Sequence, residues 1–235
     1  MIPRIVAHRG FCKAHPENSL SAFRSAERIG CEWVECDVHS SADGVPVVIH
    51  DDTLDRTTSG SGPVAAKAFS DLSDLRLKFG DRLTGEPVPT LSRLLAALRP
   101  ATGILVEIKP HDSPGLVRNV LSMLRAERRP WVLQSFDPAT VLEIHARDPA
   151  APAALLVEDA PSLARALGEA WRGVHSDHAL LTPDIVATLR TRRMGVGAWT
   201  VNTPDDLHRV IALGVDWLIT DEPLVARELC NGKCD

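Results

Sequence analysis

The chain alternates between short apolar segments and helix-start signals along nearly its whole length, and this alternation restricts the folds open to it. Eight apolar segments have the length and composition of buried strands. Their centres are Ile5, Val34, Ile104, Val132, Leu155, Val174, Val196 and Leu218. Eight strand–helix units within 235 residues are what a (β/α)₈ barrel requires. An open doubly wound sheet fits the alternation equally well, but it normally has a glycine-rich turn after an early strand, which this sequence lacks. We therefore predict an α/β protein of the TIM-barrel class.

Helix starts between the strands follow a recognisable rule. Pairs of Asp or Thr with Pro stand at Asp137-Pro138, Thr182-Pro183 and Thr203-Pro204. The cap oxygen accepts a free amide hydrogen, and proline occupies a first-turn position that needs no donor. These pairs predict three helices, and an apolar helical spacing predicts another from Pro114 to about Glu127.

One stretch interrupts the alternation, at residues 52–89. It is rich in Thr, Ser, Gly and Asp, and it is too long for a bare loop. Leu72, Leu75 and Leu77 after Ser70 indicate a short helix. We predict a small insertion over the barrel mouth within one domain spanning residues 1–235; a disordered surface excursion is the alternative.

Composition excludes some classes of function. The chain has 31 acidic and 26 basic residues, for a formal net charge of −5, which argues against a general nucleic-acid or membrane-surface binder. Residues 1–4 lead directly into the first strand, which leaves no room for a signal peptide, and no apolar stretch has membrane-spanning length. We expect a soluble cytoplasmic protein without an integral membrane segment, and the sequence does not indicate its oligomeric state.

The five cysteines lack paired zinc-ligand spacing and fit a reducing compartment. Cys36 is expected to pack behind its strand as a core residue. Cys230 and Cys234 lie in a tail rich in turn-forming residues, so we expect this tail to be frayed, and no role for the two thiols follows from the sequence.

Polar residues stand at the ends of the early strands, where a barrel carries its active site. His8 ends the first apolar segment. Side chains alternate along a strand, so Glu35 and Asp37 share one face, and Glu107 and Lys109 repeat this two-residue spacing on the next barrel strand. A third extended segment, residues 45–51, ends on His50-Asp51, and we expect three successive strands to carry their polar groups at the same end.

This set of groups predicts phosphoryl chemistry on a metal. Three carboxylates form an oxygen-rich site that suits Mg²⁺, Ca²⁺ or Mn²⁺ better than zinc. Arg9 and Lys109 carry charges that suit phosphate oxygens, and an ion pair of Arg9 with Glu35 or Asp37 is the alternative.

His8 and His50 are the candidate acid and base, because imidazole exchanges a proton near neutral pH. Nearby carboxylates favour the protonated form and a divalent cation opposes it, so the direction of the net pKa shift stays open.

Two further residues have two interpretations each. Trp199 either stacks on the substrate or packs within the barrel. His39 shares the face of Glu35 and Asp37, and it either touches metal or substrate or is a polar rim residue. His15, His111, His175 and His178 are interpreted as rim or loop residues without an identifiable partner.

Motifs throughout the chain resemble those of glycerophosphodiester phosphodiesterases. They are, in order, His8-Arg9-Gly10, Pro16-Glu17-Asn18-Ser19, Glu35-Cys36-Asp37-Val38, the segment 43–51, Asp55-Arg56-Thr57-Thr58, Pro89-Thr90-Leu91, Glu107-Ile108-Lys109, Gln134-Ser135-Phe136-Asp137, Trp199-Thr200-Val201-Asn202 and Thr220-Asp221-Glu222-Pro223. A series of motifs in this order is far more specific than any single one. The segment His39-Ser40-Ser41 departs from the pattern usual in the family.

The resemblance implies a (β/α)₈ barrel with an insertion after the His50 strand. It also implies a divalent metal on Glu35, Asp37 and Glu107, with His8 and His50 as general acid and base. Arg9 and Lys109 would then bind the phosphate.

The implied reaction is hydrolysis of a glycerophosphodiester, such as glycerophosphocholine or glycerophosphoethanolamine, to glycerol 3-phosphate and an alcohol. Alternatives are cleavage of lysophospholipids or glycerophosphoinositol, and a barrel that binds phosphodiesters without turnover. Direct attack by water and a cyclic phosphate intermediate both stay open.

Overall fold

The computed structural model describes residues 2–110 and 115–232. The elements are β1 (Arg4–Ala7), α1 (Leu20–Arg28), β2 (Trp33–Ser40), β3 (Pro46–Val48), α2 (Phe69–Ser73), β4 (Arg76–Phe79), β5 (Arg82–Pro87), α3 (Leu91–Ala97), β6 (Gly103–Ile108), α4 (Leu116–Arg125), β7 (Trp131–Ser135), α5 (Pro138–Arg147), β8 (Ala153–Val157), α6 (Ala160–Gly168), β9 (Gly173–Asp177), α7 (Pro183–Thr191), β10 (Gly195–Trp199), α8 (Pro204–Leu213), β11 (Trp217–Thr220) and α9 (Pro223–Asn231). Short 3₁₀ turns cover Val64–Ala66 and His178–Leu180.

Eight parallel strands form a closed barrel. The sheet order in the described residues is β1-β11-β10-β9-β8-β7-β6-β2-β3, and β1 also pairs with β2, which closes the ring. Every strand centre predicted from the sequence lies in one of the eight barrel strands. The predicted (β/α)₈ barrel is therefore confirmed, and the open sheet is wrong.

Helices begin where the cap-and-proline pairs predict. Asp137 accepts the amides of Ala139 and Thr140 at the start of α5, and the hydroxyls of Thr182 and Thr203 cap α7 and α8. The described part of α4 begins at Leu116 and ends at Arg125, whereas the predicted start at Pro114 lies outside the described residues.

The strand before His50 differs from the prediction, because β3 runs antiparallel to β2 and is not part of the barrel. Val38 is the last β2 residue paired with β6, and His39 and Ser40 pair only with β3. The chain thus runs past the barrel rim, turns and comes back. The three segments do not run in one direction, and His50 reaches the barrel mouth from above.

The stretch 52–89 folds into a small unit, so the disordered alternative is wrong. It contains a short helix, α2, at the predicted place, but α2 ends at Ser73, so Leu72 lies in it, Leu75 lies beyond it and Leu77 belongs to β4. It also contains a hairpin of β4 and β5 that the sequence did not indicate. Its apolar residues pack into a cluster separate from the main core. The buried members of this cluster are Leu54, Val64, Leu72, Leu77 and Val88 of the stretch, together with Val47 and Ile49 from the segment before it.

The barrel strands separate two layers of packing. Outward-facing residues such as Val34, Cys36 and Val38 join the large core under the helices. Inside the barrel, Val6, Trp33, Leu105, Val132 and Ile219 form a small apolar cluster, against which Trp199 and Trp217 pack. This inner cluster fills the lower barrel, which leaves the inward positions nearer the strand ends for polar groups.

The thiols follow the prediction in part. Cys36 is fully buried behind β2, as expected. Cys230 is buried in α9, so the expectation of a frayed tail is wrong there, and Cys234 lies outside the described residues. No helix in residues 2–110 and 115–232 combines the length and apolar character needed to cross a membrane.

Packing inside the barrel predicts a large effect at Gly103. A Cβ at this position would overlap the Trp33 indole, so we expect Gly103→Ala to lower the free energy of unfolding by about 1–3 kcal/mol. Gly168→Ala is the matched control, because its Cβ would meet no atom within 4 Å and alanine favours a helix. Urea unfolding of both variants measures the difference, and equal stabilities would contradict the packing of Trp33.

Candidate active site

A cleft opens at the carboxyl ends of the barrel strands. It encloses about 440 Å³, including its solvent opening. Its lining residues are His8, Arg9, Glu35, His50, Glu107, Lys109, Gln134, Phe136, Leu156, Trp199, Thr200 and Ile219. The structure therefore brings seven of the eight residues singled out from the sequence onto one cleft, and the eighth, Asp37, lies directly beneath Arg9 and Lys109.

Three carboxylates converge at the floor of the cleft. Glu35 and Asp37 point inward from β2, and Glu107 points inward from β6, where it is the register partner of Asp37. One oxygen from each carboxylate lies within 4.8 Å of the other two, and all three side chains are buried. The two-residue spacing on neighbouring parallel strands creates this convergence.

Both predicted cations contact the acids. Lys109 Nζ lies 2.8 Å from Asp37 Oδ1 and 2.6 Å from Glu107 Oε1. Arg9 Nε lies 3.3 Å from Asp37 Oδ2, and the Arg9 backbone amide donates to Glu35 Oε2 at 3.1 Å. The ion pair considered for Arg9 is thus formed with Asp37.

Among the residues that the structure describes, two cations, Arg9 and Lys109, contact the three acids, so the cluster is one positive charge short. Burial raises the pKa of Glu107 to about 7, and repulsion from Asp37 acts in the same direction. Burial, with repulsion from Asp37 and Glu107, also raises the pKa of Glu35 well above its usual value. Burial opposes ionisation of Asp37 too, but Lys109 and Arg9 hold its pKa well below the usual range.

The donor set suits a hard divalent cation. Asp37 Oδ1 and Glu107 Oε1 are buried and accept no well-oriented hydrogen bond, although the Lys109 ammonium lies close to both. Three carboxylates with free oxygen lone pairs are ligands that Mg²⁺, Ca²⁺ and Mn²⁺ prefer. The residues therefore fit such an ion.

A strained turn places Arg9 over the acids. Arg9 has a left-handed φ of +54°, which is rare for an arginine, and Gly10 follows at +77°. A Cβ on Gly10 would lie 2.7 Å from the Ala22 backbone, so only glycine fits between the turn and α1. Strained backbone is common at functional sites, and here it occurs at Arg9, a residue that lines the cleft.

Asn18 is a site residue that sequence reasoning missed. Its Nδ2 donates to Asp37 Oδ2 at 2.8 Å, and its Oδ1 accepts the Asp37 backbone amide at 3.3 Å. Its motif was recognised, but nothing in the local sequence indicates that this loop folds back onto β2.

His8 is held by Asp221, which the sequence did not indicate as its partner. His8 Nδ1 lies 2.8 Å from Asp221 Oδ1, and Asp221 also accepts bonds from Asn202 at 2.7 Å and the Cys12 thiol at 3.2 Å. Burial tends to raise the pKa of Asp221, but the hydrogen bond and charge of His8 keep it well below the usual range. An ionised carboxylate only accepts, so Nδ1 carries the proton and Nε2 is the ring nitrogen left for chemistry.

His50 has the same arrangement with its neighbour Asp51. His50 Nδ1 lies 2.7 Å from Asp51 Oδ1, and the His50 carbonyl accepts a bond from His39 Nε2 at 3.0 Å. Burial is the largest effect on His50 and lowers the pKa of its imidazole. His39 is not among the residues lining the cleft; it supports the backbone of His50.

Trp199 forms part of the cleft wall and packs within the barrel as well. Its indole N–H donates to the His175 carbonyl at 2.9 Å, and its ring meets Phe136 edge to face at a centroid distance of 5.3 Å. With its polar atom satisfied, the ring offers an apolar surface to the cleft.

The interpretation of His175 as a rim or loop residue is wrong. His175 is fully buried in β9, and its Nδ1 bonds Gln134 Oε1 at 2.7 Å, while Gln134 Nε2 is 3.4 Å from Glu35 Oε1. Burial lowers the pKa of His175 to about 3, so the ring is neutral. His178 is partnered by Arg209, and His111 lies outside the described residues.

These features define the class of protein. A (β/α)₈ barrel with buried acids, two cations and two carboxylate-paired histidines at its strand ends has the groups needed for acid–base chemistry on a bound anion.

Comparison with known proteins identifies the family within this class. The model of the glycerophosphoryl diester phosphodiesterase family matches residues 8–225. The chain therefore belongs to this family of enzymes, as its motifs predicted.

Individual relatives agree with this assignment. The glycerophosphodiester phosphodiesterase of Caldanaerobacter subterraneus subsp. tengcongensis is 30% identical, over 93% of this chain and 94% of that protein. The structure of an Oleispira antarctica phosphodiesterase in complex with the product sn-glycerol-3-phosphate matches with a TM-score of 0.88 and 25% identity, covering 98% of this chain and 97% of that one. A glycerophosphodiester phosphodiesterase structure from Agrobacterium tumefaciens matches with a TM-score of 0.80 and 27% identity, covering 96% and 100%.

The charge balance of the cluster predicts a strong dependence of stability on Lys109. Lys109→Met leaves two buried carboxylates without their ammonium partner, so we expect the free energy of unfolding in chelator to fall by about 3–5 kcal/mol. Lys13→Met is the control, because Lys13 pairs with Glu222 at the exposed surface, where an ion pair contributes little. Chemical denaturation of both variants provides the measurement, and a Lys109→Met protein as stable as the control would contradict this account of the cluster.

Proposed function

We propose that the chain acts as one phosphodiesterase domain that hydrolyses small, deacylated glycerophosphodiesters to glycerol 3-phosphate and an alcohol. Glycerophosphocholine and glycerophosphoethanolamine are the proposed substrates. The observation that carries this proposal is the pair of carboxylate-bound histidines on one cleft with three acids and two cations. The product bound in the Oleispira antarctica structure is in agreement with it.

Glu35, Asp37 and Glu107 would hold a divalent cation, Mg²⁺, Ca²⁺ or Mn²⁺. When bound, the cation supplies positive charge to the phosphate oxygens and so stabilises the charge that develops during transfer. The charge balance supports this role: the three acids with Arg9 and Lys109 sum to −1, and a divalent cation changes this to +1. A phosphodiester monoanion would then be attracted.

Arg9 and Lys109 would orient the phosphate. The planar guanidinium can donate two parallel bonds to phosphate oxygens, and the Lys109 ammonium acts as a point charge. Both side chains are already held by the acids beneath them, so little conformational freedom is lost when the substrate binds.

His8 and His50 would transfer the two protons of the reaction through Nε2. A neutral imidazole takes the proton of the attacking hydroxyl as the new oxygen–phosphorus bond forms. A protonated imidazole gives its proton to the leaving alcohol oxygen as the ester bond breaks. Attack by the neighbouring glycerol hydroxyl would produce a cyclic phosphate before glycerol 3-phosphate, and phosphorus NMR at early times distinguishes this path from attack by water.

A lysophospholipid is the second candidate substrate, because Phe79 and Leu83 are exposed on the β4–β5 hairpin. Against it, most large apolar side chains of the insertion pack into its own cluster. Rates with glycerophosphocholine, glycerophosphoinositol and a lysophospholipid separate these possibilities. Tight binding of glycerol 3-phosphate without turnover of any of them would indicate a binding protein.

The histidine roles predict large losses of activity. We expect His8→Ala and His50→Ala to lower kcat on the order of 10² to 10⁴-fold, because each removes a proton-transfer group. His208→Ala is the control, since His208 lies exposed on α8 and its Nδ1 bonds the backbone carbonyl of Pro204. Release of glycerol 3-phosphate measures the rates, and a near-normal kcat in both active-site variants would exclude the proposed acid–base pair.

The acidic cluster predicts that activity depends on a divalent cation. Excess chelator should abolish release of glycerol 3-phosphate, and added Mg²⁺, Ca²⁺ or Mn²⁺ should restore it. The reason is that the cation supplies the positive charge that the acidic cluster lacks. Glu107→Gln should weaken the restoration. Full activity of the wild-type chain in excess chelator would refute metal dependence.

A further inference from the structure

Arg56, a residue of the insertion, bonds two acids at once. Its Nε and one terminal nitrogen donate to the two oxygens of Asp51, each at 2.7 Å. Its two terminal nitrogens donate to the two oxygens of Glu17 at 2.7 and 2.9 Å. The guanidinium therefore binds both carboxylates in bidentate geometry. The planar guanidinium of arginine allows this geometry, whereas the ammonium of lysine does not.

Each of these acids also holds one residue of the cleft. Asp51 Oδ1 binds His50 Nδ1 at 2.7 Å, and Glu17 Oε1 accepts a bond from Arg9 at 2.9 Å. A continuous chain of contacts thus runs from His50 through Asp51, Arg56 and Glu17 to Arg9. It joins a candidate proton-transfer residue to a candidate phosphate-binding residue by way of the insertion.

The charges explain why a cation is needed between Glu17 and Asp51. Glu17 and Asp51 both contact the same terminal nitrogen of Arg56, so the two carboxylates lie close together and would repel each other without it. The Arg56 side chain is 49% exposed, whereas those of Glu17 and Asp51 are 22% and 23% exposed. A half-exposed ion pair contributes little to global stability, so we expect the main effect of this network on local geometry.

We propose that Arg56 is a positioning residue that fixes His50 and Arg9 relative to each other, so that the insertion completes the active site. This inference rests on the proposed function, because it requires His50 and Arg9 to act on the substrate. Arg56 itself does not line the cleft, and it acts through Asp51 on the imidazole and through Glu17 on the guanidinium.

The contact of Arg56 with Asp51 and its contact with Glu17 predict different kinetic effects. Asp51→Asn loosens His50 and should lower kcat, whereas Glu17→Gln loosens Arg9 and should mainly raise KM. Arg56→Ala removes the contacts with both Asp51 and Glu17. We expect kcat/KM to fall about 10- to 100-fold, because displacing a catalytic group by about an ångström reduces the rate by that much in an oriented site. Arg56→Lys should recover only part of the loss, since an ammonium cannot bind the Asp51 and Glu17 carboxylates in bidentate geometry at the same time.

The experiment compares these variants in the full chain with glycerophosphocholine as substrate. Arg76→Ala is the matched control, because Arg76 also lies in the insertion but donates to the backbone carbonyls of Ser73, Asp74 and Leu75. Urea unfolding and added guanidinium ion complete the design. We expect guanidinium, but not the same concentration of sodium chloride, to restore part of the activity of Arg56→Ala.

The outcomes separate this inference from the proposed function. A wild-type chain that turns over no glycerophosphodiester contradicts the proposed function itself. An active wild type with unchanged kinetics in Arg56→Ala overturns the positioning role. The positioning role is also overturned if the loss of activity in Arg56→Ala equals that in Arg76→Ala, parallels the loss of stability and is not restored by guanidinium. If Arg56→Ala does not fold, Arg56→Lys and Glu17→Gln provide the same comparison, and wild-type kinetics in both would overturn the inference.

Discussion

The site depends on a shortage of positive charge around Glu35, Asp37 and Glu107. Three buried carboxylates share two cations, and burial makes every uncompensated charge costly. Burial, together with repulsion between the carboxylates, raises the pKa values of Glu35 and Glu107. A cluster built in this way favours an additional cation, and it holds Arg9 and Lys109 in place before any substrate arrives.

The barrel makes this arrangement possible because it separates the two faces of each strand. On β2, Val34, Cys36 and Val38 stabilise the fold under the helices. The alternate residues Glu35 and Asp37 face the interior, above the apolar layer that contains Trp33. Packing and chemistry are thus divided between neighbouring residues of one strand, and the stability of the outer core supports a costly polar interior.

Much of this could be predicted from the sequence. Strand alternation places Glu35 and Asp37 on one face of β2, and the same spacing on the next barrel strand predicts that Glu107 joins them. The cap-and-proline pairs mark α5, α7 and α8. Pairing of distant segments could not be predicted in the same way. The antiparallel direction of β3, the β4–β5 hairpin and the contact between His175 and Gln134, 41 residues apart, depend on tertiary packing and leave no local periodicity.

The two histidines are held by different parts of the molecule, although their local geometry is the same. Asp221, the partner of His8, directly follows β11 and is fixed by Asn202, so it belongs to the barrel framework. Asp51, the partner of His50, lies beyond the returning strand β3 and is fixed by Arg56 of the insertion. Sequence changes in the insertion should therefore alter the orientation of His50 while leaving His8 in place. In the proposed function, the barrel would then keep the candidate proton-transfer group His8 constant while the insertion adjusts the other candidate, His50, to the substrate.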